Sequence, residues 1–170
     1  FAQKRTGDDW EDLVVGLAVL CHDLGKPLTT KIGEDGRIRS LKHEPLGEEP
    51  TRKFLSQLTN QNDLIEQVVP LVRRHLSPRT FYNDQASDGA IRRLARQVTR
   101  IDRLVRVAAA DIAGRPPRKD EFPEGPWLLR RAEGLKVKDS APHPLIMGRH
   151  LIERGLTPSP DFSRILEKCF

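Results

Sequence analysis

Cysteine is nearly absent from this chain: among 170 residues there are two, Cys21 and Cys169. Neither has a partner at a paired spacing. That excludes a paired-cysteine zinc site and a disulfide framework, and makes a reducing cytoplasm the expected setting. Long apolar runs are missing too. No stretch approaches the roughly 20 residues that cross a bilayer, so no membrane association is expected. The opening residues, Phe1-Ala2-Gln3, show neither an initiator Met nor a signal-peptide pattern, and the chain reads as a piece of something longer. Strand-like alternation is almost lacking. There is no internal repeat and no low-complexity tract.

What is present is a helical, moderately basic sequence. Its length suits one domain with a core that needs no disulfides. The net charge of +5 and pI of about 9.5 suit phosphate-bearing partners, although many soluble domains are as basic. Leu13 to Leu24 reads as a buried helix stopped by Gly25 and Pro27. Residues 31–38 read as a loop or small hairpin turning at Glu34-Asp35-Gly36. Pro45 is placed to open the next helix. Gly47, Thr51, Phe54, Leu55 and Leu58 share one face of it, and Ile65, Val68, Val69, Val72 and Leu76 share a face of another that Pro70 should kink. Residues 77–88 read as polar and irregular. Two further helices carry Ile91, Leu94, Ala95 and Val98, then Ile101, Leu104, Val105, Ala108 and Ile112. Beyond Gly114, Pro116-Pro117, Pro123 and Pro126 punctuate a charged segment read as a linker. Helical stretches follow over 127–135, 145–154 and 161–170. The expected fold class is all-α, with a bundle over 1–115 and a proline-rich linker and helical tail over 116–170.

Five polar residues sit where apolar ones belong. His22 and Asp23 end the apolar run from Leu13 to Cys21, where an unpaired imidazole or carboxylate is costly. His75 lies seven residues after Val68 and three after Val72, on their stripe. Asp111 stands in the same relation to Leu104 and Ala108, and Ala108-Ala109-Ala110 leave room around it. His43 precedes a helix start. Three imidazoles and two carboxylates on four segments suit a divalent metal, as one site or as two ions sharing a carboxylate. A buried histidine held by hydrogen bonds, or an Asp capping a helix, would explain any one of them alone. His143 and His150 lie in the proline-broken tail and are given no role.

The run His22-Asp23-Leu24-Gly25-Lys26 resembles the doublet of the HD-domain metal-dependent phosphohydrolases. The order His22-Asp23, His43, His75, Asp111 is similar to the longer form of that signature, in which extra histidines support two metals. Three segments narrow the likeness: Lys42-His43-Glu44 with Gly47, Val72-Arg73-Arg74-His75-Leu76, and Ala109-Ala110-Asp111-Ile112-Ala113-Gly114-Arg115. They resemble the HD domain of bacterial CCA-adding enzymes, of the tRNA nucleotidyltransferase and poly(A)-polymerase-like family. The stretch from Pro144 to Ile152, with Gly155-Leu156-Thr157-Pro158, resembles the segment that follows in that family. Two departures stand out. The family pattern opens with a histidine one helix upstream of the doublet, and none precedes His22: either the chain starts past that ligand, which its abrupt start at Phe1 favours, or the site has lost one. Ser159 stands where the family tail has Gly. No part of the chain resembles the nucleotidyltransferase head, so nucleotide addition is not expected of it.

The resemblance implies an HD phosphohydrolase acting on phosphomonoesters and 2′,3′-cyclic phosphates of nucleotides or RNA ends. His22, Asp23, His43, His75 and Asp111 would hold magnesium, manganese, nickel, cobalt or iron, as one ion or two. Asp23, having two oxygens, is the candidate bridge. Such ions activate water near neutral pH and can hold the attacking and leaving oxygens of a phosphoester. Lys26 is assigned to catalysis beside Asp23 and, with Arg115, to phosphate binding: Lys26 as a point charge, Arg115 bidentately. The competing expectation is a non-catalytic helical module that supports tRNA binding in a parent enzyme. A ppGpp- or dNTP-type hydrolase would share the metal site but not the tail.

Overall fold

A computed structural model of the chain describes residues 6–115, 121–142 and 146–169. The all-helical expectation holds. In chain order the described elements are α1 (Asp9–Cys21), α2 (Lys26–Thr29), β1 (Thr30–Ile32), β2 (Ile38–Ser40), α3 (His43–Leu46), α4 (Glu48–Leu58), α5 (Asn62–Arg74), α6 (Ser77–Asn83), α7 (Asp88–Val98), α8 (Ile101–Gly114), α9 (Glu124–Gly134), α10 (Gly148–Glu153) and α11 (Asp161–Lys168). The two strands form the small hairpin, antiparallel with Thr30 opposite Ser40 and Ile32 opposite Ile38. No described helix is long and apolar enough to cross a membrane.

The core forms where α1 and α8 pack with α5, and α4, α7 and α9 close around them. Val14, Val15, Ala18, Leu71, Val72, Ile91, Leu104 and Leu128 are all but sealed from solvent. Leu128 and Ala132 of α9 and Val137 after it are part of this same core. At α1 the Asp8 carboxylate accepts hydrogen bonds from the amides of Trp10 and Glu11, filling the donors that a helix start leaves open.

The structure differs from the sequence reading at several points. Helix α1 ends at Cys21, so His22 and Asp23 stand in the turn beyond it. The apolar run is half-buried, with Leu13 and Leu20 exposed. Pro27 does not stop helix formation but lies in the first turn of α2, where its missing amide costs nothing. Pro70 lies inside α5, which continues to Arg74 as one element. Leu58, on the expected buried face of α4, is exposed. Residues 77–83 form α6, with Pro78 in its first turn; its weak periodicity hides a helix that packs on α8 and α9, where Tyr82 meets Trp127 edge-on at 5.7 Å. Helix α9 begins at Glu124 and takes Pro126 into its first turn. Helix α10 spans Gly148–Glu153, shorter than the stretch expected there. Pro116, Pro117, His143, Pro144 and Leu145 lie outside the described residues.

One buried ion network ties three helices. Glu11 of α1 accepts from Arg103 of α8, with Nε to Oε2 at 2.6 Å and a second contact from Nη2, and from Arg100 Nη1 at 3.1 Å. Arg103 also donates to Gln67 of α5 at 2.7 Å. The hydrogen bond from Arg103 holds the Glu11 carboxyl below its ordinary value, against the opposing effect of burial. Removing one member of a buried pair typically costs about 3–5 kcal/mol, because the other charge is left uncompensated. Glu11→Gln is therefore expected to destabilise the fold by roughly 3 kcal/mol at neutral pH. Because the folded carboxyl titrates below the unfolded one, its stabilisation is present above the ordinary carboxylate range and is lost as pH falls through the depressed value. Urea unfolding of both proteins between pH 7 and 3 checks this. The gap should narrow on acidification, and a gap independent of pH would show that Glu11 is not held ionised by Arg103.

Candidate metal centre

Each histidine of interest sits just past a carbonyl it can use. His22 caps the end of α1, His75 caps the end of α5, and His43 opens α3 directly after β2. The last carbonyls of a helix have no intrahelical donor. His22 Nδ1 lies 2.7 Å from the Val19 carbonyl, His75 Nδ1 2.7 Å from that of Val72, and His43 Nδ1 2.8 Å from that of Ser40. In all three the partner is three residues back. A carbonyl only accepts, so these contacts assign the hydrogen to Nδ1 and leave Nε2 as a lone pair wherever the ring is neutral. His43 and His75 are buried, and His22 is half-buried.

The Nε2 atoms converge. His43 Nε2 and His75 Nε2 are 3.3 Å apart, and the His22 ring meets the His75 ring at 5.2 Å. Asp23 offers one oxygen to each side. Its Oδ1 lies 3.4 Å from His43 Nε2 and its Oδ2 3.2 Å from His22 Nε2. Asp111, on α8, brings Oδ1 to 3.4 Å from His22 Nε2. The ligand-capable atoms of Asp23, His43 and His75 all lie within 4.8 Å of one another. The five residues singled out in the sequence thus come together from four segments.

The donor set fits a divalent cation on two grounds. With hydrogen on Nδ1 of each ring, the two Nε2 atoms face each other across 3.3 Å, an arrangement that a cation shared between them makes favourable. Nitrogens bound to one ion at about 2.1 Å, near a right angle or slightly wider, are separated by about this much. In addition, Asp23 Oδ1 is buried without a hydrogen-bond partner, and an orphaned carboxylate oxygen is strongly disfavoured unless a cation meets it.

Electrostatics agree with that geometry. Burial works against a charged His22, but its hydrogen bonds to Asp111, Asp23 and the Val19 carbonyl outweigh burial and raise its pKa to about 10. A proton thus bridges His22 to both carboxylates. Burial lowers the His75 pKa, keeping that imidazole neutral. Burial opposes ionisation of Asp23, yet His22 and Lys26 hold it well below the carboxylate range. Asp111 is lowered in the same way, burial being overcome by His22 and Arg115.

Lys26 and Arg115 stand at the rim, each on one carboxylate. Lys26 Nζ is 2.5 Å from Asp23 Oδ2. Arg115 grips Asp111 with two contacts of 2.9 and 2.7 Å. Both side chains are partly exposed. Glu44, absent from the sequence-predicted set, brings Oε2 to 3.6 Å from His43 Nδ1 with no hydrogen-bond partner of its own; its place next to His43 was the only available signal.

The backbone around the cluster is held by Gly25. A Cβ there would lie 2.0 Å from the His43 carbonyl oxygen and 2.8 Å from the Gly47 amide nitrogen. The glycine lets the turn carrying His22 and Asp23 press against the segment carrying His43. Just before His43, Lys42 adopts φ of +61°, a left-handed conformation that costs a non-glycine residue of order 1 kcal/mol.

The HD domain family matches residues 4–108. The chain belongs to the HD domain family. It is 34% identical over 158 residues to the CC-adding tRNA nucleotidyltransferase of Thermus thermophilus, a match covering 89% of this chain and 34% of that protein. It is 29% identical over 162 residues to the A-adding tRNA nucleotidyltransferase of Deinococcus radiodurans, covering 91% of this chain and 36% of the relative. A multifunctional CCA protein of Xylella fastidiosa is 31% identical over 124 residues, or 70% of this chain and 29% of its own length. The chain thus spans about a third of the length of the curated relatives it matches. No solved structure matches at the same stringency.

Gly25→Ala is expected to open this HD cluster. The methyl group must displace backbone, and overpacking of this kind costs about 1–3 kcal/mol. Thermal unfolding should report that loss, with a parallel fall in affinity for an added divalent metal. Unchanged stability would show that the Gly25 turn is free to move away from His43.

Proposed function

We propose that this HD domain is a metal-dependent phosphohydrolase that acts on phosphomonoesters or 2′,3′-cyclic phosphates of nucleotides or RNA ends, within a cytoplasmic tRNA nucleotidyltransferase-like protein. The observation that supports the reading most is the division of Asp23. Its Oδ1 faces His43, beside His75, and its Oδ2 faces His22, beside Asp111. The two oxygens of one carboxylate thus face two groups of side chains, each of which would hold an ion. The unit proposed for this work is 1–115, with 116–170 as linker and tail and with α9 lending side chains to the shared core.

A divalent ion, when bound, supplies polarisation of the phosphoryl group and lowers the pKa of water at the site. The chain's own residues do the rest. The Val19, Ser40 and Val72 carbonyls hold the three imidazoles in the tautomer that ligates, as supporting hydrogen bonds do in metal sites generally. Asp23 and Asp111 carry negative charge that would help hold a divalent ion. Lys26 holds its proton at Nζ and offers it to a phosphate oxygen, and Arg115 offers its planar fork to two. Each can turn from its carboxylate to a substrate at the rim.

The second reading is a non-catalytic helical module that supports tRNA binding in the parent enzyme. It is favoured by the present pairing of Lys26 and Arg115 with the site's own carboxylates rather than with open space.

Two measurements decide between them. Isothermal titration of the metal-stripped chain with manganese or nickel should show Asp23→Ala abolishing binding while His75→Ala weakens it, since one carboxylate would serve both groups. Equal loss, or a greater loss in His75→Ala, counts against the bridge.

Hydrolysis of p-nitrophenyl phosphate and of 2′,3′-cyclic AMP, with magnesium, manganese, nickel or cobalt, should depend on added metal and fall about 100-fold or more in Asp111→Asn, in line with the cost of misplacing reacting groups. Metal bound with no turnover on either substrate would favour the non-catalytic module.

A further inference from the structure

Arginines in this chain are mostly spoken for. Arg52 pairs with Glu66, Arg73 with Glu48, Arg131 with Asp88, and Arg103 with Glu11. Arg74 and Arg93 are among the described arginines without an ion pair, and they differ from the others of that group in sharing a cavity. Both line one cavity of about 190 Å³, together with Ser77, Phe81, Leu94 and Gln97. No acidic side chain lines it.

The cavity follows from helix geometry. Ala90, Arg93, Leu94 and Gln97 recur at spacings of three and four residues along α7, and Ser77 and Phe81 are one turn apart on α6. Leu94 is buried and Phe81 half-buried, giving an apolar floor. Arg74, the last residue of α5, closes one end. Its Nε is buried and has no hydrogen-bond partner. An unmet buried donor of this kind costs about 1–3 kcal/mol, more when the group is charged. The acids nearest in charge to Arg74 are Glu48 and Glu44. Glu48 is engaged by Arg73, and Glu44 lies beside His43.

We propose that this α6–α7 groove is a phosphate-binding subsite, with Arg74 and Arg93 taking the phosphate oxygens and Ser77 and Gln97 adding neutral hydrogen bonds. Two guanidinium groups without acid partners match a phosphate in charge and in donor geometry. The volume lies below the roughly 300–1,000 Å³ of pockets that enclose whole small molecules. It therefore suits one phosphate group with its attached sugar, as part of a nucleotide or an RNA strand. The subsite is separate in residues from the histidine cluster and does not depend on metal binding there.

The test uses the full chain stripped of metal by a chelator, so that the HD cluster contributes no phosphate binding through an ion. Inorganic phosphate is titrated by calorimetry, and a short 5′-phosphorylated RNA is then added in competition. Saturable phosphate binding is expected. Arg74→Gln and Arg93→Gln should each weaken it about tenfold, the loss of one charge-assisted contact, whereas Arg130→Gln, at an exposed position of α9, should not. Arg74→Lys keeps the charge but loses the fork, and should fall between. Circular-dichroism melts confirm that each variant is folded. Competition by the RNA assigns the subsite to a strand; phosphate binding without competition assigns it to a free phosphate or mononucleotide. Absence of saturable binding, or equal weakening by Arg130→Gln, overturns the proposal whether or not the HD cluster hydrolyses phosphoesters.

Discussion

An imidazole whose Nδ1 hydrogen is committed to a carbonyl has only its other nitrogen to offer, and that nitrogen's direction is fixed by the same bond. Three such bonds, to Val19, Ser40 and Val72, orient the centre of this molecule. Two of the carbonyls belong to the last turn of a helix, so the position of each ring follows from where α1 and α5 end. The helix ends are set in turn by the packing of α1 and α5 on each other and on α8. Gly25 closes the arrangement, because only a residue without Cβ lets the α1 turn rest on the His43 carbonyl. The histidine cluster is therefore a consequence of core packing rather than of flexible loops, which is the condition for holding reacting groups to within a fraction of an ångström.

Much of this could be read from the chain, and the reasons differ by residue. His22, His75 and Asp111 stood out because a polar side chain interrupted an apolar stripe, and periodicity is the strongest local signal there is. His43 was visible only as one more histidine near a helix start. The helices with full stripes, α5, α7 and α8, appear where their spacing put them. Helix α6 did not, because its apolar content is Pro78 and Phe81 and its helicity is secured by neighbours that are distant in sequence, α8 and α9. The Glu11–Arg103–Gln67 network is hidden for the same reason: nothing local distinguishes Glu11 from Asp9 and Asp12 beside it. Gly25 was legible as a stop but not as a point of contact, since the atom it makes room for is 18 positions later in the chain. Backbone carbonyls, which do the orienting, carry no letter at all.

The charges of the cluster are balanced in a way that bears on its chemistry. Asp23 is met by Lys26, Asp111 by Arg115, and a proton on His22 is shared between both carboxylates. The cluster thus holds its two buried or half-buried carboxylates ionised without leaving either unpaired. A divalent cation between His43 and His75 would meet an imidazole whose pKa burial lowers, that of His75, and the Asp23 Oδ1 that has no hydrogen-bond partner. The His22 side is different. There the cation must take the place of a proton, because one lone pair cannot serve both. On the proposed reading the two sides would differ: burial lowers the His75 pKa on one side, whereas on the other a cation would have to displace the proton that His22 shares with Asp23 and Asp111. Lys26 and Arg115 complete the logic. Each is held at the rim by a carboxylate; under the proposed function a bound cation would offset that carboxylate's charge and so leave the lysine and the arginine free to meet a phosphate.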